Sequence, residues 1–587
     1  MPIALLLAAI AVAGTNPAPD DSARAPLLED HDVQVAMARL ATEHKDLVSV
    51  VPVGALPSRG GRKIEALRIA AGAITPGRPA ILVVADIDGP RVWTSGLALD
   101  HARHLAEGYA SDPRTKQLLD TTTVYVIARA NPDAAQARFA KPLREVEATG
   151  TGVDNDRDGR TGEDPPSDVD GDGLVTWMRV PDPEGEWMAD PADPRATIRA
   201  DRKKGQHGVW KLVPEGRDSD KDKQASEDPE LDAVVNRNFP QGWKEHAPES
   251  GQFATDEPEA RDLCDFVLDH KDIALVLTYG ALDDFADKPK TVKDDAPAVK
   301  RIPPEGMPES DAALLEEIGR SYKKVAKSHA KSEGDDHGTF QSWCRTQRGL
   351  WCVNLELWSI PLDTPDAKAP EEAKPDEKKP EEAKAEEKKP EEKKGDEKKK
   401  PDDKPALSDE AKRLRWVDAK SETARFVPWK KMKHPDLGIE VEIGGWAPFA
   451  TVEPPPKERD EIAAGELEFL LGLGDLLPRV RVADCTAKDL GGGVWEIQAW
   501  LANDAFLPFQ SVAGKRSTSV RPARVAIVLP KGAQLLAGER QELVADLAGS
   551  GARKKLRWLV HGAPPSALAV EVDTDRSGTA HVVPEVK

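Results

Sequence analysis

Two stretches of alternating carboxylates, Asp154-Asn155-Asp156-Arg157-Asp158-Gly159 and Asp168-Val169-Asp170-Gly171-Asp172-Gly173, repeat the pattern D-x-D-x-D-G in tandem. Carboxylates at every second position, closed by a glycine turn, wrap oxygens around a hard cation, and calcium takes about six to eight oxygens at about 2.3 to 2.6 Å. The two loops therefore predict calcium on Asp154, Asp156 and Asp158 and on Asp168, Asp170 and Asp172. Neither is an EF-hand, because the twelfth positions are Pro165 and Arg179 rather than glutamate; Glu163 and Asp164 are candidates to complete the first site. A third copy, Asp218-Ser219-Asp220-Lys221-Asp222-Lys223, has lysine where the glycine belongs and is expected to bind nothing. Solvated acidic loops without an ion are the plain alternative for all three. His104-Leu105-Ala106-Glu107 has the H-x-x-E spacing that can place two zinc ligands together. It lies inside a helical pattern beside His101 with no third ligand indicated, so an exposed helix face is expected there.

Charge narrows the partners. The 587 residues carry 82 Lys and Arg against 103 Asp and Glu, a net charge of -21, which disfavours nucleic acid and anionic lipid surfaces. Residues 154–232 hold 22 acids and 12 bases, about half of that imbalance. Residues 363–404 hold 16 acids and 13 bases and form a polyampholyte instead. One segment reads as an acidic site, the other as a spacer.

The elements that must position such residues follow from periodicity. At about 150 residues per domain the length suggests three or four units. The first residues, Met1 to Gly14, form a short apolar run ending in Ala11-Val12-Ala13, which reads as a signal peptide (residues 1–13) and implies export. The run is too short to span a bilayer, which takes about 20 apolar residues, and no integral membrane segment is expected elsewhere. From 32 to 129, and again from 255 to 358, helical and strand periods alternate, predicting an α/β layer structure with a mixed sheet flanked by helices. Residues 363–405 are imperfect Pro-Glu-Glu-Lys-Lys repeats that read as a disordered linker or an insertion. Residues 406–477 read as a connecting segment. From 478 to 587, period-two alternation broken by Gly and Pro predicts a C-terminal β-sandwich. Cys264, Cys344, Cys352 and Cys485 match no metal-knuckle or redox spacing, and their pairing stays open.

Three further motifs, Asn131-Pro132-Asp133, Asn236-Arg237-Asn238-Phe239-Pro240 and the late strand ending Leu355-Glu356-Leu357-Trp358, stand in an order that resembles the zinc carboxypeptidase family of the carboxypeptidase A type. The resemblance runs over residues 31–361, with the Asp-rich insertion 154–232 similar to that of a bacterial subgroup. It implies a carboxypeptidase-like fold and a ligand class, peptides with a free C-terminal carboxylate. It also implies residue roles: Arg237 gripping that carboxylate with Asn236 beside it, Glu356 as general base, and Arg179 polarising the scissile carbonyl.

The metal positions depart from the family. The resemblance puts Asp88 where the first histidine ligand belongs, Arg91 where the glutamate belongs and Leu277 at the third ligand. Zinc needs three protein ligands, and an arginine beside them repels it. Bound zinc is therefore not expected, and an Asp88–Arg91 ion pair is expected to fill the vacated space. The favoured expectation is an exported binder of peptide C-termini with weak or no hydrolysis. The alternatives are an active metallocarboxypeptidase with a rearranged metal site and a calcium-stabilised structural module.

Overall fold

The computed structural model describes residues 24–362, apart from 74, 150–158, 161, 163, 227–232, 287–288, 298–303 and 327–334, and residues 407–587. The expected signal peptide, the Pro/Glu/Lys linker, and Asp154, Asp156 and Asp158 of the first acidic loop lie outside the described residues. The chain divides into two compact units, residues 1–162, 229–359 and 452–587 forming one, and residues 163–228 and 360–451 the other.

The first unit is built on a six-stranded mixed sheet. Its strands are β1 (Val48–Pro52), β2 (Glu65–Ile69), β3 (Ala80–Ala85), β4 (Thr123–Ile127), β5 (Ile273–Tyr279) and β6 (Trp351–Leu355), in the spatial order β1-β2-β4-β3-β5-β6. β4, β3, β5 and β6 run parallel, and all of their residues are buried, nearly all of them apolar. A parallel strand is covered by helices on both faces, so both of its side-chain sets must be apolar. β1 and β2 pair antiparallel at the edge and are only partly buried. Helices Trp93–Gly108 and Pro258–Asp269, expected from the sequence, accompany this sheet. Asn131 caps a short helix by accepting from Ala134 N at 3.3 Å, with Pro132 in the first turn, where its missing N–H costs nothing. Asp133 accepts from Ser58 Oγ, Gly60 N and Arg62 Nη1, so this Asn-Pro-Asp motif ties the β1–β2 turn to the helix.

The same unit carries the expected β-sandwich. A five-stranded sheet that includes Val480–Gly491, Val494–Asn503 and Ala552–His561 and a four-stranded sheet that includes Ala523–Val528 and Ala569–Asp573 enclose a core centred on Ile497, Val525, Trp558 and Val570. All four cysteines are buried free thiols.

The second unit corrects one expectation. Residues 406–477 are not a connector. Phe426–Lys433 and Glu440–Trp446 form one side of a six-stranded antiparallel sheet, and the acidic segment supplies the other four strands, 177–181, 210–214, 187–189 and 197–199. A strand needs a partner for its N–H and C=O groups, and these partners lie more than two hundred residues apart in the chain.

The rest of that supposed connector, helix Pro456–Leu476, belongs to the first unit and buries Glu466, which accepts a hydrogen bond from Tyr322 Oη at 2.8 Å. Burial pushes the Glu466 carboxyl up to about 8 from the ordinary 4.5. The folded chain therefore holds a proton that the unfolded chain releases, and stability falls as pH rises between these two values, by up to about 1.4 kcal/mol per pH unit. Glu466→Gln is expected to flatten this dependence, melting no lower than the parent at pH 5 and higher at pH 9. Parallel melting curves for the two proteins across that range would refute it.

Candidate functional site

The site sits where the parallel strands end. Beyond β3 the chain turns sharply: Asp86 adopts φ 54° and Gly89 φ 57°. A Cβ on Gly89 would lie 2.7 Å from both Ala134 Cβ and the Val146 carbonyl, so only glycine fits there. Asp86 is buried and ion-paired to Arg129 at 3.1 Å, and it accepts from Ser95 Oγ at 3.0 Å. Burial pushes its carboxyl up to about 7. Thr94 Oγ1 accepts from Asp86 N and donates to the Arg91 carbonyl, strapping the turn that presents Asp88 and Arg91.

Asp88 is fully engaged. Oδ1 accepts from Asn236 Nδ2 at 2.8 Å, and Oδ2 accepts from Ala281 N at 2.7 Å. The second bond requires a very close approach, because a Cβ on Gly280 would lie 2.3 Å from Asp88 Oδ2. Asn236 also accepts from Phe340 N at 2.9 Å, so its amide joins three segments of the site.

Arg91 does not pair with Asp88 as expected. Its Nη2 donates to Glu356 Oε1 at 2.6 Å, and both residues are buried, at 8% and 1% exposure. Burial opposes the charge on Arg91, but the carboxylates of Glu356 and Asp88 outweigh it and hold the guanidinium above its ordinary value. Glu356, expected as a general base, is thus one half of a buried ion pair. Asp88 is held by neutral donors, which removes the need for a cation in direct contact.

Leu277 is not beside these groups. It lies inside β5, opposite Val83 and Val353 and fully buried, three residues short of Gly280. The backbone N–H that meets Asp88 is four residues beyond Leu277, at Ala281, about 13 Å away at about 3.3 Å per residue. Arg179 is a further correction. Its guanidinium stacks between the rings of Trp210 and Trp429, at 4.4 and 3.8 Å from their centroids, and donates to Thr197 Oγ1, Glu442 and the Arg195 carbonyl. Each of its nitrogens donates at least one hydrogen bond within the second unit.

Arg237 is presented differently. The asparagines on either side of it are structural: Asn236 as above, and Asn238, whose Nδ2 donates to the Ser250 carbonyl and to Asp256 Oδ1. Arg237 lines a cavity of about 300 Å³ with Lys244, Glu147, Glu249, Asp335 and His337. Its Nη1 donates to the carbonyls of Asp335 and His337 and reaches Asp335 Oδ1 at 3.3 Å, while Lys244 Nζ donates to Asp335 Oδ2 at 2.9 Å. One carboxylate already spans the two cations. Sequence reasoning missed Lys244 and Asp335, which belong to no motif and reach Arg237 only through the fold.

His104 of the H-x-x-E spacing is partly exposed and hydrogen-bonds Asp100, one turn back, as a helix-surface residue does.

The acidic segment places its groups differently from the sequence pattern. Among the described residues, two sets of three carboxylates bring one ligand atom each within 4.8 Å of one another: Asp168, Asp170 and Glu215, and Asp164, Asp218 and Asp220. Asp172 is in neither set, and Glu215, outside the D-x-D pattern, was not anticipated. In the first set Glu215 accepts from the N–H groups of Val169, Asp170 and Thr176, and Asp168 from those of Gly171 and Gly173.

Residues 33–173 match the family described as zinc carboxypeptidase. Residues 479–583, in the β-sandwich, match a domain of unknown function, DUF8731. Mouse carboxypeptidase D is 42% identical over 65 residues, which are 11% of this chain and 5% of the relative. The zinc carboxypeptidase of Saccharothrix mutabilis subsp. capreolus is 25% identical over 138 residues, 22% of this chain and 31% of the relative. The chain thus spans from a twentieth to under a third of the length of these relatives. Solved structures with a detectable likeness include thrombin activatable fibrinolysis inhibitor, with 11% identity, TM-score 0.36, 57% of this chain and 66% of that one. Carboxypeptidase A from Helicoverpa armigera gives 16%, 0.34, 58% and 65%.

The donor set at the turn after β3 does not suit zinc. Tetrahedral zinc takes nitrogen, sulfur or carboxylate ligands. The turn after β3 offers one carboxylate, each of whose oxygens already accepts a hydrogen bond from Asn236 or Ala281, and a guanidinium that carries a fixed positive charge. Neither three-carboxylate set involves Asp88 or Glu356.

Proposed function

We propose that the first unit binds peptides through their free C-terminal carboxylate and does not hydrolyse them. The Arg91–Glu356 ion pair supports this reading: it sets a fixed positive charge beside the carboxylate expected to act as general base. Arg237 and Lys244 take no part in that pair, and they face a cavity large enough for a terminal residue. A peptide carboxylate would take the place of Asp335, which makes equivalent contacts with both cations, and Asn236 would act as a positioning residue behind Arg237 rather than as a ligand. The same reading has the chain exported, as its apolar N-terminal run and A-x-A site imply.

Peptides with a free C-terminus are expected to bind at least about tenfold more tightly than their amidated forms, the worth of a charge-assisted hydrogen bond. Arg237→Ala is expected to erase the difference, and Asp335→Asn to strengthen binding of the free acid by removing its competitor. Calorimetric titration showing equal affinity for acid and amide would sink the proposal.

A further inference from the structure

The carboxylates of Asp164, Asp218 and Asp220 differ from their neighbours in how their oxygens are used. Asp164 Oδ1 accepts from Ser219 N at 2.6 Å, Asp218 Oδ2 from Lys223 N at 3.2 Å and Asp220 Oδ1 from Asp222 N at 2.9 Å. Each bond holds one oxygen against the loop backbone. The second oxygens of Asp164 and Asp218 have no hydrogen-bond partner, although the residues are only 1% and 6% exposed. Among the described residues no lysine or arginine forms an ion pair with any of the three. Two buried carboxylate oxygens without a donor or an ion-pair partner are costly where water cannot compensate.

We infer that Asp164, Asp218 and Asp220 form a calcium site, the two buried aspartates anchoring the ion and the exposed Asp220 leaving the outer coordination positions to water. Oxygens no more than 4.8 Å apart fit on one sphere with the radius of a calcium–oxygen contact, about 2.4 Å. This reverses the expectation that the third acidic copy binds nothing. The lysines at positions 221 and 223 stand where a calcium loop prefers glycine, and the backbone adopts the left-handed conformation there regardless, with φ 71° and 80°. The turn therefore closes despite the wrong residue type. The Asp168 set has less call for an ion, because both oxygens of Asp168 and of Glu215 already accept N–H or hydroxyl donors. The site lies wholly within the second unit and is independent of peptide binding.

The test uses the full chain, stripped with a chelator and titrated calorimetrically with calcium chloride alone. Saturable binding is expected, with a dissociation constant in the range of calcium modules, roughly micromolar to millimolar, and a melting temperature that rises with calcium. Asp164→Asn with Asp218→Asn is expected to lose affinity at least about tenfold, whereas Asp168→Asn with Asp170→Asn should stay within about twofold, since charge count tunes such sites. Asp220→Asn, at an exposed position that folding tolerates, should weaken binding several-fold and decides the matter if the double variant at 164 and 218 does not fold. No saturable binding up to 10 mM (about ten times the weakest such modules), an unchanged affinity in Asp220→Asn, or loss of binding only in the 168 and 170 variant would each overturn the assignment. Tighter binding of magnesium chloride than of calcium chloride would overturn the choice of ion.

Discussion

Arg91→Met is expected to lower the unfolding free energy by about 3 to 5 kcal/mol, because it strips the guanidinium from a carboxylate that cannot reach bulk water. Glu356 is 1% exposed and meets Arg91 Nη2 at 2.6 Å. Inside the protein the attraction between the two charges is strong, but desolvation cancels much of it, so losing one partner costs far more than losing both. Arg91→Met combined with Glu356→Gln should therefore recover most of the loss, and the cycle of single and double variants should show strong coupling. Urea unfolding followed by tryptophan fluorescence measures it. A cost below about 1 kcal/mol for Arg91→Met, the worth of a solvent-screened pair, would show that the ion pair is not buried in solution.

Carboxypeptidase turnover is expected to be undetectable, with or without added zinc, and Glu356→Gln is expected to leave that baseline unchanged. In metal-dependent peptide hydrolysis the nucleophile is a water whose pKa the metal lowers from roughly 15.7 to about 7. A carboxylate facing ordinary water lacks that help, and Glu356 is further tied to Arg91. The measurement is release of C-terminal residues from a varied peptide library, with the amidated library as control. Zinc-stimulated release that disappears in Glu356→Gln would restore the enzyme reading. Peptide binding without turnover is what the proposal requires.

Local pattern was enough for much of the fold. The alternation of helical and strand periods anticipated the α/β layers: the buried strands at 80–85, 123–127, 273–279 and 351–355 and the helices at 93–108 and 258–269 fall within the two stretches that show it, because periodicity reports the surroundings of a segment without naming its neighbours. It was not enough for Phe426–Lys433, which has no fully buried residue, or for Glu440–Trp446, whose second partner is a strand of the acidic segment.

At the site the division is similar. The family resemblance pointed to Asp88, Arg91, Asn236, Arg237 and Glu356 as the ones to watch, and to residues of the wrong type for zinc at 88 and 91. Which carboxylate Arg91 would meet depended on the close of the parallel sheet, which brings it to Glu356, 265 residues away, rather than to Asp88, three residues away. Asp88 was taken instead by Asn236 and a backbone N–H that only glycine at 280 lets approach. In the acidic segment, alternation showed where carboxylates are dense, but not which of their oxygens the backbone would satisfy. That depends on whether a donor lies within about 3 Å in a specific direction, a condition set by tertiary structure and carried by no motif.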